Sequence, residues 1–372
     1  MSIRKRSWAA PDGTPRTAWL VDYRDPAGKR RFKQFTRKKD AEAWSVNAAA
    51  EVQRGVHTAD RASITVAQAA ELWLAKVKAD GREPTTIAAY DQQVRLHIVP
   101  RCGATKLSQL TAPGVRTLLD GWQADLSRPM ATRVLRTFKA IIAHAQERGK
   151  VAQNAAQAIT LRKAARERGK VQPPSKAHLR AILKASAESD DPKVRALFEL
   201  AIFSGMRASE LRGLAWPAID LKGGFVEVEQ RADARGMIGA PKSHAGRRRI
   251  PLPSRAIAAL KAWKLACPPH PAGLVFPSVK GKPISHHTLT TTLTGPLQVK
   301  AKIDPPYTLH TFRHAAASLW IEQGLDPKRI QTLMGHSSIQ VTFDTYGHLF
   351  ADTEKERQDA DAIERALFAD AT

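Results

Sequence analysis

Hydrophobic side chains alternate with polar ones near the start of the chain and then follow a helical repeat over most of its length. Trp19, Val21 and Tyr23 alternate with smaller or polar neighbours, and a second alternating run covers 29–35. A helical repeat follows over 38–52. This pattern predicts a small three-stranded sheet with one helix packed on it.

Helical repeats dominate the next hundred residues. The apolar positions and the Pro and Thr start signals predict helices at 67–77, 84–98, 115–122 and 128–147. Pro100 is expected to stop the second of these helices. The segment is therefore predicted to be all-helical.

A polar, basic stretch at 161–170 leads to Pro173 and Pro174 and is typical of a linker. Beyond it, the pattern predicts helices at 194–203 and 208–214 and strands at 225–230 and 249–252. It also predicts one helix that contains His310 and a later helix that ends at Gly335. We therefore predict a multidomain α+β fold with boundaries at 1–60, 61–168 and 169–372. The first domain is a β-sheet plus a helix, the second is all-helical, and the third is mostly helical with a small antiparallel sheet.

The chain is strongly basic. Lys and Arg number 59 against 35 Asp and Glu, a net charge of +24, and the excess is spread over all three predicted domains. An excess of this size on a chain with ordinary core composition predicts a polyanionic partner such as nucleic acid. The alternative is a generally basic surface without a specific partner.

Secreted and membrane classes are excluded by the same inspection. The 2 cysteines support neither a disulfide framework nor a cysteine zinc site. The N-terminal residues MSIRKRSW lack an apolar signal core, and no apolar run approaches the roughly 20 residues of a membrane span. We expect a cytoplasmic protein without a membrane partner.

Two basic faces are candidates for contact with a phosphate backbone. In the second predicted strand, Arg31 and Lys33 would share one face of the sheet. The last helix of the second domain presents four further candidates: Arg128, Arg133, Arg136 and Lys139. A solvated basic face on a helix that packs into the core explains any one of these equally well.

Four short motifs occur in the third domain. The segment 203–211 reads FSGMRASEL, 309–314 reads LHTFRH, and 333–338 reads LMGHSS. Tyr346 follows ten residues after His336. These motifs resemble, in order and spacing, the arginine box, the HxxR box, the LGH box and the nucleophilic tyrosine of the tyrosine recombinase (phage integrase) family.

The resemblance implies strand exchange through a covalent DNA–tyrosine intermediate. Arg207 and Arg313 would clamp the non-bridging phosphate oxygens, and His336 would donate a third hydrogen bond. Tyr346 would attack the phosphorus, with His310 as the base that takes its proton. Because the phosphotyrosine bond retains the energy of the broken bond, religation would need no ATP, no metal and no other cofactor.

Two further side chains complete the implied site. Lys242 would protonate the leaving 5′ oxygen. The hairpin that carries this lysine varies in length in the family, so the arginines at 247–249 are the alternatives, and Lys242 is favoured over them. Glu210 would orient Arg207. An ordinary structural ion pair between Arg207 and Glu210 is the competing interpretation of that pair.

A metal site is the competing interpretation of the histidines. His310 and His314 could present two ligands on one helical face, but no Asp, Glu or Cys completes a recognisable set. No metal is therefore predicted.

The resemblance also implies function and partners. We expect a site-specific recombinase of a phage, prophage or genomic island, with an arm-site domain at 1–60, a helical core-site domain at 61–168 and a catalytic domain at 169–372. Its partners would be double-stranded attachment-site DNA, three further copies in a homotetramer assembled on that DNA, and DNA-bending accessory proteins. The acidic, amphipathic tail at about 351–372 would dock on protein, either on its own chain or on the next protomer.

Alternatives within the same chemistry remain. These are a Xer-like chromosome resolvase, which usually lacks the arm-binding sheet, and a type IB topoisomerase. A DNA-binding protein that keeps the fold without catalysis is a further alternative.

Overall fold

A computed structural model describes residues 1–25, 28–53, 63–161, 172–350 and 353–368. The chain divides into two compact units, Met1–Ala164 and Ala165–Thr372. The first unit contains both the predicted sheet and the predicted helical domain. Of the predicted linker at 161–170, residues 162–170 lie outside the described part of the chain.

The first unit begins with an antiparallel sheet. Strands β1 (Ser2–Ala9), β2 (Pro15–Arg24) and β3 (Arg30–Phe35) pair in that order, and helix α1 (Lys38–Gln53) follows. Trp44 of α1 contacts the rings of Tyr23 and Phe35, with centroids 5.2 and 5.7 Å apart. The alternation of the strands therefore gives the sheet one face covered by α1 and one open face.

The rest of the first unit is helical. Its elements are α2 (Val66–Ala79), α3 (Pro84–Gln93), α4 (Val99–Cys102), α5 (Ala112–Asp125) and α6 (Arg128–Glu147). A π-helical segment, Val94–Ile98, joins α3 to α4, so the helix does not stop at Pro100 as predicted. The proline lies in the first turn of α4, where a missing N–H group costs little.

The core of this helical region is centred on Trp122 and Phe138. Both side chains are fully buried, and their rings meet edge to face at 5.6 Å. The Trp122 indole N–H donates to the carbonyl of His97 at 2.9 Å, which satisfies its one polar group.

The second unit is mostly helical. Its helices are α7 (Lys176–Ala187), α8 (Pro192–Ser204), α9 (Ala208–Gly213), α10 (Ser254–Ala266), α11 (Gly295–Lys300), α12 (Leu309–Glu322), α13 (Pro327–Met334), α14 (Ile339–Tyr346) and α15 (Thr353–Phe368). Helices α7, α10, α11 and α14 were not predicted. Strands β4 (Ile219–Asp220), β5 (Phe225–Val228) and β8 (Arg248–Pro251) form an antiparallel sheet, and β6 (Arg231–Ala232) pairs with β7 (Ile238–Gly239).

The core of the second unit lies between α8, α10 and α12. Phe198 of α8 meets Phe312 of α12 edge to face at 5.6 Å, and both rings are fully buried. The neighbours of Phe312 on α12 include Arg313, so the same packing that builds the core also fixes this polar residue. The predicted multidomain α+β fold is confirmed. Within the described residues, no helix is both long and apolar enough to cross a bilayer.

The packing of the first unit predicts a large effect of truncating Phe138. Phe138→Ala should lower the free energy of unfolding of this unit by about 3–5 kcal/mol, because it removes a buried ring and leaves a cavity. Urea unfolding of the full chain, followed by hydrogen exchange in Arg128–Glu147, measures the loss. Leu96→Ala is the control, because Leu96 is 45% exposed and should change the stability by less than about 0.5 kcal/mol. Equal effects of the two variants would contradict this account of the core.

Candidate active site

Arg207 is held at the start of α9 and keeps part of its side chain exposed. Helix α8 ends at Gly205, whose φ of 59° reverses the chain. The backbone N–H of Arg207 donates to Glu210 Oε2 and its Nη1 to Glu210 Oε1, both at 2.8 Å. Its Nη2 donates to the carbonyl of Gly335 at 3.0 Å. The guanidinium is fixed on one side while its side chain remains 39% exposed.

Arg313 lies deeper, on α12. Its side chain is buried, with Nη1 donating to the carbonyl of Gly205 and Nη2 to the carbonyl of Met334, each at 2.5 Å. Burial, together with the charges of Arg207 and Arg248, lowers the pKa of Arg313 to about 9. The group therefore stays cationic at neutral pH, held by main-chain carbonyls.

Two glycines with positive φ each supply a carbonyl to one of these arginines, Gly205 to Arg313 and Gly335 to Arg207. Gly205 ends α8 and Gly335, with φ of 65°, ends α13. A Cβ on Gly335 would lie 2.9 Å from the carbonyl oxygen of Ala245 and 3.0 Å from Nη1 of Arg248. Both the backbone conformation and the lack of space therefore require glycine at Gly335.

His336 follows Gly335 and is buried. Its Nδ1 lies 2.9 Å from Thr342 Oγ1 on α14. Burial lowers its pKa to about 4, and the positive charges of Arg313 and Arg207 act in the same direction. The ring is therefore neutral near pH 7. If Nδ1 accepts the threonine hydroxyl, the proton sits on Nε2 and can be donated to a ligand.

Tyr346, the last residue of α14, is almost completely buried. Its ring packs with Ala317, Ile330 and Met334, and its Oη lies 2.8 Å from Nδ1 of His314. Burial raises its pKa to about 12, opposed in part by the charge of Arg313. A phenol with this pKa needs a base before it can act as a nucleophile.

The base nearest to Tyr346 is His314, whose place in the sequence had suggested only a possible metal ligand. His310, the predicted base, is exposed in the first turn of α12, and its ring lies 4.5 Å from that of His314. Burial, His310 and Arg313 lower the pKa of His314 to about 4, so the ring is a neutral acceptor near pH 7. The signal in the sequence was the four-residue spacing of the two histidines, but only the docking of α14 tells which one meets the tyrosine.

Lys242 lies in the loop after β7 with its side chain exposed. Of the alternatives at 247–249, Arg247 and Arg249 are exposed. Arg248 is buried and hydrogen-bonded to Glu210. In the sequence, Arg248 is not distinguishable from the arginines on either side of it. Glu210 thus receives two guanidinium groups, from Arg207 and Arg248.

No group of three His, Cys, Asp or Glu side chains in the described ranges is arranged to hold a metal ion.

The residues of the first unit that were predicted to contact phosphate differ in their exposure to solvent. Arg31 and Lys33 lie on the face of the sheet that α1 covers: Arg31 is paired with Asp25 at 2.9 Å, and the Lys33 ammonium lies 5.0 Å from the Trp44 ring. On α6, Arg128, Arg133 and Arg136 are exposed. Lys139 is half-buried and donates to the carbonyl of Gln157 at 2.9 Å.

Comparison with known proteins identifies the family. The model of the phage integrase family matches residues 175–352, which contain all the motif residues of the site. An integrase of Streptomyces ambofaciens is 30% identical over 352 residues, which cover 87% of this chain and 86% of the relative. The chain belongs to the phage integrase family. As a tyrosine recombinase, it catalyses the cleavage and rejoining of DNA strands.

Other members of this family are similar over much of the chain. The tyrosine recombinase XerC of Xanthomonas campestris is 29% identical over 251 residues, 66% of this chain and 72% of that protein. A lambda integrase, solved as a tetramer bound to a Holliday junction, shares the fold with a TM-score of 0.59 at 20% identity. That comparison covers 89% of this recombinase and 95% of the lambda chain.

The neutral histidines make the stability of the recombinase depend on pH. The pKa values of His314 and His336 are about 4 in the folded protein, below the ordinary value of 6.5. The unfolded chain therefore binds more protons between about pH 6.5 and pH 4, and the stability should fall as the pH is lowered through this window. Thermal unfolding midpoints between pH 7.5 and pH 4.5 measure the slope.

Glutamine at His314 should remove part of this slope, because the side chain no longer titrates. His244→Gln is the control, since His244 is exposed in the loop after Lys242. Identical slopes for the wild type and His314→Gln would show that His314 is not held neutral.

Proposed function

We propose that this recombinase is a site-specific integrase of a phage, prophage or genomic island, and that it acts through a covalent 3′-phosphotyrosine intermediate. One observation carries the proposal: the guanidinium groups of Arg207 and Arg313 converge with neutral His336 beside the buried hydroxyl of Tyr346.

The charges of the site match a phosphodiester. Three guanidinium groups, those of Arg207, Arg248 and Arg313, surround one carboxylate, Glu210. The site therefore has an excess of positive charge, and a scissile phosphate with its developing transition-state charge would compensate it. Arg207 and Arg313 each have N–H groups without a partner among the described residues, which are available to the non-bridging oxygens.

The cleavage step follows from the positions of the acid and base groups. The bond between Tyr346 Oη and phosphorus forms as the bond from phosphorus to the 5′ oxygen breaks. The hydrogen bond between Tyr346 Oη and His314 Nδ1 supports His314 as the first acceptor of the tyrosine proton. The ring of exposed His310 packs against the ring of His314 on its solvent side. Lys242 gives a proton to the 5′ oxygen. Religation reverses these steps on another strand, so neither ATP nor a metal enters the scheme.

Tyr346→Phe tests the nucleophile. The protein is incubated with randomly nicked DNA from its source, the DNA is denatured, and the ends of covalently attached fragments are sequenced. The wild type should give adducts clustered at one or two inverted-repeat sites. Tyr346→Phe should give none while still binding DNA, because it lacks the attacking oxygen.

Tyr307→Phe is the matched control, because the Tyr307 hydroxyl is hydrogen-bonded to His178; this variant should keep its adducts. Adducts that persist in Tyr346→Phe would overturn the assignment, and evenly scattered wild-type adducts would favour a topoisomerase.

The first unit supplies surfaces for the same DNA. The exposed side chains on the open face of the sheet support it as the DNA-contacting face, in place of Arg31 and Lys33. They are Arg4, Arg6, Arg24, Arg30 and Phe32, with Phe32 67% exposed. Strands of this kind enter a DNA groove, with arginines on phosphates or base edges. Residues 1–60 would then bind arm sites, and the exposed arginines of α6 would bind the core site.

Alanine at both Arg4 and Arg6 tests the choice of face. If both side chains contact phosphates, the slope of log affinity against log salt concentration should decrease by about 2. The double variant Arg31→Ala/Lys33→Ala is the matched control and should change the slope less. Binding of duplex DNA, measured over a range of salt concentrations, gives both slopes. A larger decrease for Arg31→Ala/Lys33→Ala would instead assign the DNA contact to the face that α1 covers.

Assembly on DNA completes the proposal. The lambda integrase neighbour is a tetramer on a Holliday junction, and α15 exposes Ile363, Leu367 and Phe368 for docking on protein. These features support a homotetramer on double-stranded attachment sites, working in the cytoplasm on nucleoid DNA with DNA-bending accessory proteins. The similarity to XerC keeps a chromosome resolvase as the second candidate. Deletion of residues 1–60 separates the two, because a resolvase would still recombine fully.

A further inference from the structure

Arg248 is buried in the second unit and uses most of its hydrogen-bonding capacity on the protein itself. It lies at the start of β8 with its side chain 2% exposed. Its Nε donates to the carbonyl of Leu333 at 2.7 Å, and its Nη1 to the carbonyl of Gly246 at 2.9 Å. Its Nη1 and Nη2 also donate to Glu210 Oε1 and Oε2, at 3.2 and 2.8 Å.

These four bonds join three of the segments that carry groups of the proposed site. Glu210 belongs to the first turn of α9, where it holds both the backbone and the guanidinium of Arg207. Leu333 lies on the last turn of α13, three residues before His336. Gly246 ends the loop that contains Lys242. The side chain of Arg248 therefore links the segments that support Arg207, His336 and Lys242.

Arg248 is not itself placed to bind a phosphate. A side chain this deeply buried, with four of its donor contacts made to protein, has no free face toward a ligand. Its charge acts on Glu210 instead. Burial alone would raise the pKa of Glu210, but the hydrogen bond from Arg248 and the charges of Arg248 and Arg207 lower it below the ordinary range.

The geometry around Glu210 divides the work between the two arginines. Arg248 contacts both carboxylate oxygens from the buried side, whereas the guanidinium of Arg207 contacts only Oε1 and is partly exposed. Because Arg248 holds the carboxylate of Glu210 from the buried side, Glu210 is a fixed partner that orients the guanidinium of Arg207 toward solvent. Without Arg248, the carboxylate would lose two of its hydrogen bonds and the turn before His336 would lose one.

We propose that Arg248 is a positioning residue of the recombinase, which aims Arg207 through Glu210 and ties the His336 turn to the Lys242 loop. This role rests on the proposed covalent mechanism. It predicts a loss in the rate of cleavage with little loss of DNA affinity, because Arg248 orients groups that act in the transition state and does not contact DNA.

The test uses the full chain and a nicked duplex that carries the site recovered by adduct sequencing. DNA affinity and the single-turnover rate of adduct formation at saturating DNA are measured separately. Arg248→Met should slow adduct formation roughly 10- to 100-fold, as expected for a small misplacement of catalytic groups, with DNA affinity within about 2-fold of the wild type. Arg248→Lys keeps the positive charge but loses the forked guanidinium group, so its rate of adduct formation should lie between those of Arg248→Met and the wild type.

Arg255→Met is the matched control. Arg255 of α10 also holds a buried carboxylate, that of Glu199, with Nε 2.5 Å from Oε1, but neither residue contacts the site. This variant should match the wild-type rate at saturating DNA even if it lowers stability. Equal rates for Arg248→Met and Arg255→Met would overturn the proposal. If Arg248→Met does not fold, a wild-type rate for Arg248→Lys would overturn it.

A double-variant cycle separates positioning from general support of the fold. Glu210→Gln combined with Arg248→Met should be no more than about 3-fold slower than the slower single variant, since both act through the same contact. Fully multiplicative effects would mean that Arg248 does not act through Glu210. If the wild type forms no adducts, the covalent mechanism is overturned as well. If the wild type forms adducts and Arg248→Met forms them at the same rate, the positioning role alone is overturned.

Discussion

The hydrogen bonds from the buried guanidinium of Arg313 to the carbonyls of Gly205 and Met334 are the interactions on which the rest of the second unit's site depends. A buried cation is stable only where fixed dipoles replace the water that it has lost. Here the dipoles come from the ends of α8 and α13, so the charge, the two helix ends and the turns after them form one arrangement. Arg207 and His336 follow directly from those two turns, and both are therefore positioned by the constraint that Arg313 imposes.

The same excess of positive charge explains the protonation states around it. Burial is the main reason that His314 and His336 stay neutral, and the neighbouring guanidinium groups add to it. Among the residues that the structure describes, Glu210 is the one carboxylate within this group, and it is held by two arginines. The arrangement favours an anionic ligand with several acceptor oxygens, which agrees with the chemistry of a DNA phosphate.

Much of this arrangement was predictable because the motifs are local. The glycine stops at Gly205 and Gly335 and the spacing of Arg313 from His310 depend on neighbouring residues in the chain. The contacts that hold the site residues from behind were not predictable. Three consecutive arginines at 247–249 look alike until β8 pairs with β5 and turns Arg248 inward. His314 and His310 look equivalent until α14 docks, and the alternation of β3 does not tell which face α1 covers.

The contact between Tyr346 and His314 has a consequence for the enzyme when it is not at work. A protein whose reactive oxygen can sever a chromosome is a hazard to the cell at every accidental encounter with DNA. In the mechanism proposed above that oxygen belongs to Tyr346, whose phenol lies inside a small apolar cluster and is hydrogen-bonded to the neutral ring of His314. In that mechanism a phosphate could not reach the attacking oxygen until the phenol left this cluster, so the burial of Tyr346 would protect chromosomal DNA from chance cleavage.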